Sequence, residues 1–306
     1  MQIQWFPGHM HKARLKIKEA LPKVDLLIEV LDARIPFSSQ NPMLEALRGH
    51  KPCIKVLSKS DLADPVLTAQ WQAYLDQFKG VKTIAISTEQ PEKTRKITEL
   101  CRTMMPDKNA GVKNIHTMIV GIPNVGKSTL INTLADRTIA KTGNEPAITK
   151  CQQRINLNNG IVLSDTPGVM WPNIENINSG YRLAITGAIR DTAMEYVDVA
   201  LFAANFLMHN YPETLTQRYQ LKILPDTELE VLESIGQKRG CLLSGAKVDL
   251  DRVAKILLHE LRAGLLGPVT LETPQMAEKE LEELVTIRQQ KADKKAARKR
   301  NWKRSR

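Results

Sequence analysis

Residues 121–128, Gly121-Ile122-Pro123-Asn124-Val125-Gly126-Lys127-Ser128, carry the G-x-x-x-x-G-K-[ST] spacing of a phosphate-binding loop. The chemistry follows from the residue types. A glycine-containing turn at a helix start converges backbone N–H groups and the helix dipole on an anion. Lys127 reaches the β- and γ-phosphates, and the Ser128 hydroxyl is placed to hold Mg²⁺. The flanking pattern fits, since Ile115–Val120 is a short apolar run that predicts a buried strand and 128–135 has helical apolar spacing. The nucleotide-binding candidates here are Asn124, Val125, Gly126, Lys127, Ser128 and Thr129, and Lys127 is also a catalytic candidate.

A phosphate loop alone does not choose a base. Ser58-Lys59-Ser60-Asp61, after the apolar run Cys53–Ser58, nearly matches N-K-x-D, in which the Asp accepts the N1 and N2 hydrogens that guanine has and adenine lacks. Asp61 is the expected base reader, Lys59 can lie across the base plane, and Ser58 stands where Asn is usual. Being shorter, Ser58 is expected to weaken the usual Asn link from base N7 to the phosphate-loop strand, or to make it through water. Ser87 and Thr88, with Glu89, can supply a backbone N–H for guanine O6. Asp165-Thr166-Pro167-Gly168 adds the third element: Asp165 orients Mg²⁺ and the Gly168 N–H senses the γ-phosphate. Thr149 is the candidate switch threonine for completing the Mg²⁺ shell and for catalysis, with Thr142 and Thr138 as rivals.

The elements that must position these residues alternate. Strands are expected at 24–31, 53–58, 82–87 and 115–120, with helices at 11–21, 42–48, 65–79 and 91–104. Asn158-Asn159-Gly160 joins strands 152–157 and 161–164 as a hairpin. The fold class is therefore α/β with a mostly parallel sheet. From about 181 strands give way to helical patterns at 182–209, 213–220, 226–236 and 249–264. The reading is a nucleotide domain over 1–178, a helical RNA- or ribosome-binding domain over 179–275, and a charged helix with a disordered basic tail over 276–306.

Motif order is informative. In an ordinary small GTPase the phosphate loop, switch threonine and DxxG precede NKxD and the O6 loop; here the last two come first. The sequence thus implies a circularly permuted Ras-like P-loop GTPase domain, closed by a polar linker at 106–113. Permutation places the new break just after DTPG, so the switch region runs into the helical part.

The 306 residues carry 42% hydrophobic and 25% charged side chains, ordinary for a globular protein. No apolar run approaches a membrane span, and 1–16 lacks the apolar core of a secretory signal. Cys53, Cys101, Cys151 and Cys241 form no C-x-x-C pair, which fits free thiols in a reducing cytoplasm. Net charge of +11 points to a polyanionic partner, nucleic acid before membrane.

Trp5-Phe6-Pro7-Gly8-His9-Met10, Asp32-Ala33-Arg34-Ile35-Pro36, the permuted order and the loop at 121–128 together resemble the ribosome biogenesis GTPase A (YlqF/RbgA) family, as do Arg239-Gly240-Cys241 and Val248-Asp249. The resemblance covers roughly 1–272. It implies a GTPase acting late in maturation of the large ribosomal subunit and binding its rRNA, with no DNA partner. Ser58 departs from the family's Asn, Gln40 from its Arg, and the tail beyond about 276 is longer. Val169, after DTPG, cannot orient water, so the catalytic group must come from elsewhere. The resemblance nominates His9; the alternative is that His9 anchors the N-terminal segment or touches rRNA. Asn124 resembles the residue that helps hold K⁺ in cation-dependent GTPases, although Asn is also a good loop former. The tail, with Trp302 among its lysines and arginines, suits RNA, and Lys238, Arg239, Lys247, Arg252, Lys255 and Arg262 suggest a basic helical face. A GTP-binding switch with a protein partner is the alternative function, and an ATPase a third that Asp61 argues against.

Overall fold

The computed structural model describes residues 3, 5–88, 90–109, 114–139 and 153–304. In chain order the elements are α1 (Gly8–Ala20), β1 (Leu26–Asp32), α2 (Pro42–Arg48), β2 (Cys53–Ser58), α3 (Pro65–Leu75), β3 (Val81–Ala85), α4 (Pro91–Met104), α5 (Pro106–Asn109), β4 (Ile115–Val120), α6 (Lys127–Ala135), β5 (Gln153–Asn156) and β6 (Ile161–Asp165). Helices alone follow: α7 (Ile177–Ile185), α8 (Tyr196–Asn210), α9 (Pro212–Tyr219), α10 (Glu228–Lys238), α11 (Leu250–Arg262) and α12 (Pro274–Arg304).

The strands form one sheet in the order β3-β2-β1-β4-β6-β5, parallel throughout except for the β5–β6 hairpin. β1 and β2 are buried along their whole length, as the apolar runs require of central parallel strands. The chain steps outward from β1 to β3, then returns so that β4 pairs with the other side of β1. The connections therefore diverge between β1 and β4, and in such sheets ligands bind outside the carboxyl ends of the strands at that divergence. The loop at 121–128 follows β4, Ser58–Asp61 follows β2, and Asp165–Gly168 follows β6, so all three lie along that edge. Chain order is permuted, yet the sheet reassembles the motifs.

Three expectations change. The pattern read as one helix over 182–209 is two, α7 and α8, separated where Gly187 takes φ +77°. Pro106–Asn109, expected as linker, makes a short helix, while 110–113 lie outside the described residues. The tail read as disordered continues α12 to Arg304. Between Gln275 and Arg304 there is no Gly or Pro, and Ala, Glu, Gln, Lys and Arg dominate, all strong helix formers.

One hydrophobic cluster runs from the sheet into the helices, joining Leu26, Ile54 and Ile119 to Leu183, Val199, Leu232 and Leu257. A polar knot closes the same boundary. Arg182 of α7, fully buried, reaches Glu280 of α12 at 2.7 and 2.9 Å and Glu272 at 3.3 Å. Glu272 in turn accepts from the backbone of Phe37 and Ser38 and from Ser38 Oγ at 2.6 Å. Burial raises the Glu272 carboxyl while Arg182 and Ser38 oppose the rise. Loop, helix and tail thus share one guanidinium. Replacing Arg182 by Met leaves two acidic groups without their cation, so urea unfolding should show a loss of about 3–5 kcal/mol.

Candidate nucleotide site

The loop between β4 and α6 needs its two glycines for different reasons. Gly121 has φ +149° and a Cβ there would sit 2.5 Å from Val30 O, so the backbone passes directly over β1. Gly126 takes φ +89° to enter α6, and Asn124 takes φ +61° between them. Lys127 is buried and donates to Ile122 O at 2.6 Å, folding back along its own loop.

Asp165–Gly168 closes on this loop. A Cβ at Gly168 would meet Pro123 N and Cα at 2.9 Å and Lys127 Nζ at 3.0 Å. Val169 N donates to Gly121 O at 3.2 Å, and Thr166 Oγ1 donates to Ile119 O at 2.7 Å. Burial pushes the Asp165 carboxyl up to about 6 against the pull of Lys127. Burial likewise pushes Lys127 down to about 8, with Asp165 opposing and Lys59 adding. Asp165 Oδ1 is buried and makes no hydrogen bond among the described residues. A buried hard oxygen without a donor suits a Mg²⁺ shell.

The residues expected at the base end lie where β2 and β3 finish. Asp61 is exposed, Ser87 is buried, and Thr88 is exposed on the loop after β3. Ser60 N donates to Ile86 O at 3.1 Å, which brings the two loops side by side. Ser58 Oγ lies 2.6 Å from Val125 O and 2.8 Å from Leu31 O. Its single proton serves one carbonyl at a time, yet the link to the phosphate loop is direct. A Cβ at Gly126 would lie 3.8 Å from Ser58 Cβ, ordinary contact distance, so β2 and the loop pack against each other at Ser58. Lys59, at φ +56°, donates to Asn124 O at 2.6 Å and to Asp32 Oδ2 at 2.9 Å.

Asp32 and Arg34 entered the sequence reading only within the segment Asp32–Pro36 that carries the family resemblance, with no role assigned to either. Arg34 binds the Asp32 carboxylate with two nitrogens, at 2.9 and 2.8 Å, and both are buried. Burial alone would raise the Asp32 carboxyl, but Arg34 and Lys59 beside it hold it well below the usual carboxylate range. The signal available was Asp-x-Arg at the end of a central strand, a spacing that lets neighbours pair. Asn41 was also missed: its amide donates to Val169 O at 2.7 Å while its Oδ1 caps α2 at Met43 N.

His9 lies exposed in the first turn of α1, and the neighbouring Met10 Sδ accepts from Met170 N at 3.4 Å, so this turn adjoins the exit from Asp165–Gly168. Asn124 Nδ2 donates to Gly187 O at 2.7 Å. Thr138 is exposed; Thr142, Thr149, Glu89 and Cys151 lie outside the described residues. Two arginines of the expected basic face are engaged internally, Arg239 with Glu260 at 2.8 Å and Arg262 with Asp191 at 3.0 Å. Gln40 accepts from buried Lys55 at 2.6 Å, which also pairs with Glu29 at 3.3 Å and Glu45 at 3.7 Å. A second cation there would oppose Lys55.

Phosphate loop, DTPG and guanine motif on one sheet edge, in this chain order, define a circularly permuted P-loop GTPase. A family model described as "50S ribosome-binding GTPase" matches residues 116–233, beginning at the phosphate-loop strand and leaving the base-reading half outside, as permutation requires. "Ribosome biogenesis GTPase A" of Bacillus cereus is 44% identical over 294 residues, covering 94% of this chain and 99% of its own. That of Priestia megaterium is 45% identical, covering 92% of this chain and all of its own. GNP-bound YlqF from T. maritima superposes with a TM-score of 0.61 at 26% identity, covering 87% of this chain and 99% of that one. The chain belongs to the ribosome biogenesis GTPase A family and is a GTP hydrolase.

Asp32→Asn should unfold at lower urea than wild type at pH 7, by about 3–5 kcal/mol, because Arg34 loses its buried counter-charge. A depressed carboxylate stabilises the fold above the unfolded value of about 3.9 and ceases to as pH falls. The gap between variant and wild type should therefore narrow below about pH 4, which urea titrations at several pH values would measure.

Proposed function

We propose that this GTPase acts late in maturation of the large ribosomal subunit, docking on its rRNA with GTP bound and leaving after hydrolysis. The observation that carries the reading is the seating of Gly168 on Pro123 and Lys127. A γ-phosphate arriving there acts on a segment that runs directly into α7, so hydrolysis can be transmitted to the helical part. The relatives' names and the net charge of +11 support an RNA particle as partner over a protein-only switch. In this reading 1–178 forms the GTPase unit, 179–275 the ribosome-facing helices and 276–306 the basic extension, working in the cytoplasm.

Asp61 reads guanine N1 and N2, Lys59 lines the base, and Ser87–Thr88 serves O6. Asn124, Val125, Gly126, Lys127, Ser128, Thr129 and Gly168 hold the phosphates. Ser128, Thr149 and Asp165 hold Mg²⁺, which would neutralise charge on the β- and γ-oxygens. Val169 is buried and apolar, so water must be oriented by another group, and His9 is the nominee because its helix turn adjoins Met170. Asn124 is the proposed K⁺ ligand.

The direct test is GTP hydrolysis with and without purified large subunits, in K⁺ and in Na⁺. Turnover should be slow alone, rise with the particle, and fall in Na⁺; no stimulation by the particle would end the ribosomal reading. Asp61→Asn should weaken GTP binding about 10- to 100-fold, the worth of a hydrogen bond to a charged group. His9→Ala should abolish stimulated turnover at unchanged particle affinity. Deleting 288–306 should flatten a log K against log[salt] slope of about −5, the value for roughly six phosphates.

A further inference from the structure

The helical part touches the base-reading half of the site at several points, and these contacts close into a ring. Starting at Lys59, the ammonium donates to Asp32 Oδ2. Asp32 is clamped by Arg34, whose Nη1 donates at 3.3 Å to the backbone oxygen of Arg262, the last residue of α11. The Arg262 side chain crosses to the end of α7, where Nε donates to Ile185 O and Nη2 to Ala184 O, both at 2.8 Å. Ala184 O also accepts from Gly187 N at 3.1 Å, and a cation at a helix C-terminus is favoured by the dipole as well. Gly187 lies just beyond, where an added Cβ would sit 3.5 Å from Arg262 Nε, and its oxygen accepts from Asn124 Nδ2. Asn124 O then accepts from Lys59, and the ring is complete.

A second contact runs beside it. Gly264, at φ +73°, ends α11 beneath Leu62, where a Cβ would lie 2.6 Å from Leu62 Cδ2. Val269 N donates to Leu62 O at 3.0 Å, and Leu271 N to Arg34 O at 2.8 Å. The chain is thus held two residues before Asp61, at Lys59 through the ring, and one residue after it, at Leu62 by the exit of α11.

We infer that Arg34 and Arg262 are positioning residues that make guanine-nucleotide affinity depend on how α7 and α11 sit against the sheet. Lys59 can lie along a base only while its ammonium is fixed, and Asp32 fixes it only while Arg34 is fixed by α11. Coupling of this kind acts on the base end, which GDP and GTP share, and is distinct from the γ-phosphate route through Gly168. It reports loading and emptying, not hydrolysis. By reciprocity, whatever repositions α11 changes nucleotide affinity by the same factor as nucleotide changes its binding. The inference rests on the proposed base-reading roles of Lys59 and Asp61.

The test uses the full-length chain, fluorescent GDP and a fluorescent non-hydrolysable GTP analogue, at fixed Mg²⁺. Arg262→Met, at a partly exposed position, should raise Kd for both nucleotides by the same factor, about tenfold, and Arg262→Lys should recover part of the loss. Arg34→Met combined with Arg262→Met should weaken binding no more than the worse single variant, since both break one ring. Lower urea stability with unchanged Kd in Arg262→Met would make the residue merely structural and overturn the inference. A change confined to the GTP analogue would overturn it too, assigning the coupling to the phosphate end. Asp61→Asn is the control on the underlying reading: if it binds GDP as tightly as wild type, the base-reading assignment fails first, and the ring falls with it.

Discussion

A single carboxylate at the divergence point of the sheet organises the site. Asp32 ends β1, the strand that pairs with β2 on one side and β4 on the other. Its charge is buried, a costly position unless paired and hydrogen-bonded. The pairing is what the rest depends on. Arg34 takes both carboxylate oxygens, Lys59 takes one of them, and Ser39 Oγ accepts from the Asp32 backbone at 3.1 Å. The two cations come from the ends of β1 and β2, so one buried anion brings together elements that would otherwise repel.

The end of β2 and the loop after β4 are joined with little material. Ser58 Oγ reaches Val125 O, and Lys59 reaches Asn124 O, two consecutive carbonyls of the loop between β4 and α6. Neither contact would exist if the loop stood one residue's height further from β2. Gly121 sets that height, because only a residue without Cβ can pass over Val30 O. A substitution at Gly121 would therefore disturb the contacts of Ser58 and Lys59 as well as the loop itself, although the two lie on different strands.

What was legible in the sequence was whatever is local. The strand runs, the Asn-Asn-Gly hairpin and the phosphate loop each declare themselves within a dozen residues, and motif order then implied permutation. Contacts between distant segments did not declare themselves. Arg182 reads as an ordinary charge on an amphipathic helix, and only folding brings Glu272 and Glu280 around it. Arg262 was assigned to a basic face for the same reason; composition counts its charge but cannot say that Ile185 O and Asp191 consume it. Ser58 likewise reaches Val125 O across 67 residues of chain, a contact its own motif does not announce.

Permutation has a mechanical consequence that the motif list does not convey. The chain leaving Gly168 is gripped at once by two elements from the N-terminal half: Asn41 holds Val169 O, and Met10 Sδ meets Met170 N. Asn41 also caps α2, so its amide cannot follow Val169 without uncapping a helix, at a cost of about 1 kcal/mol. α1, for its part, is anchored by buried Met10, Ala13 and Ile17, one face of a helix whose other residues are mostly exposed. A pull on Gly168 is thus resisted within two residues and passed to α1, α2 and α7 together. That arrangement favours two discrete positions of the exit segment over a continuous range, because each grip is either made or lost.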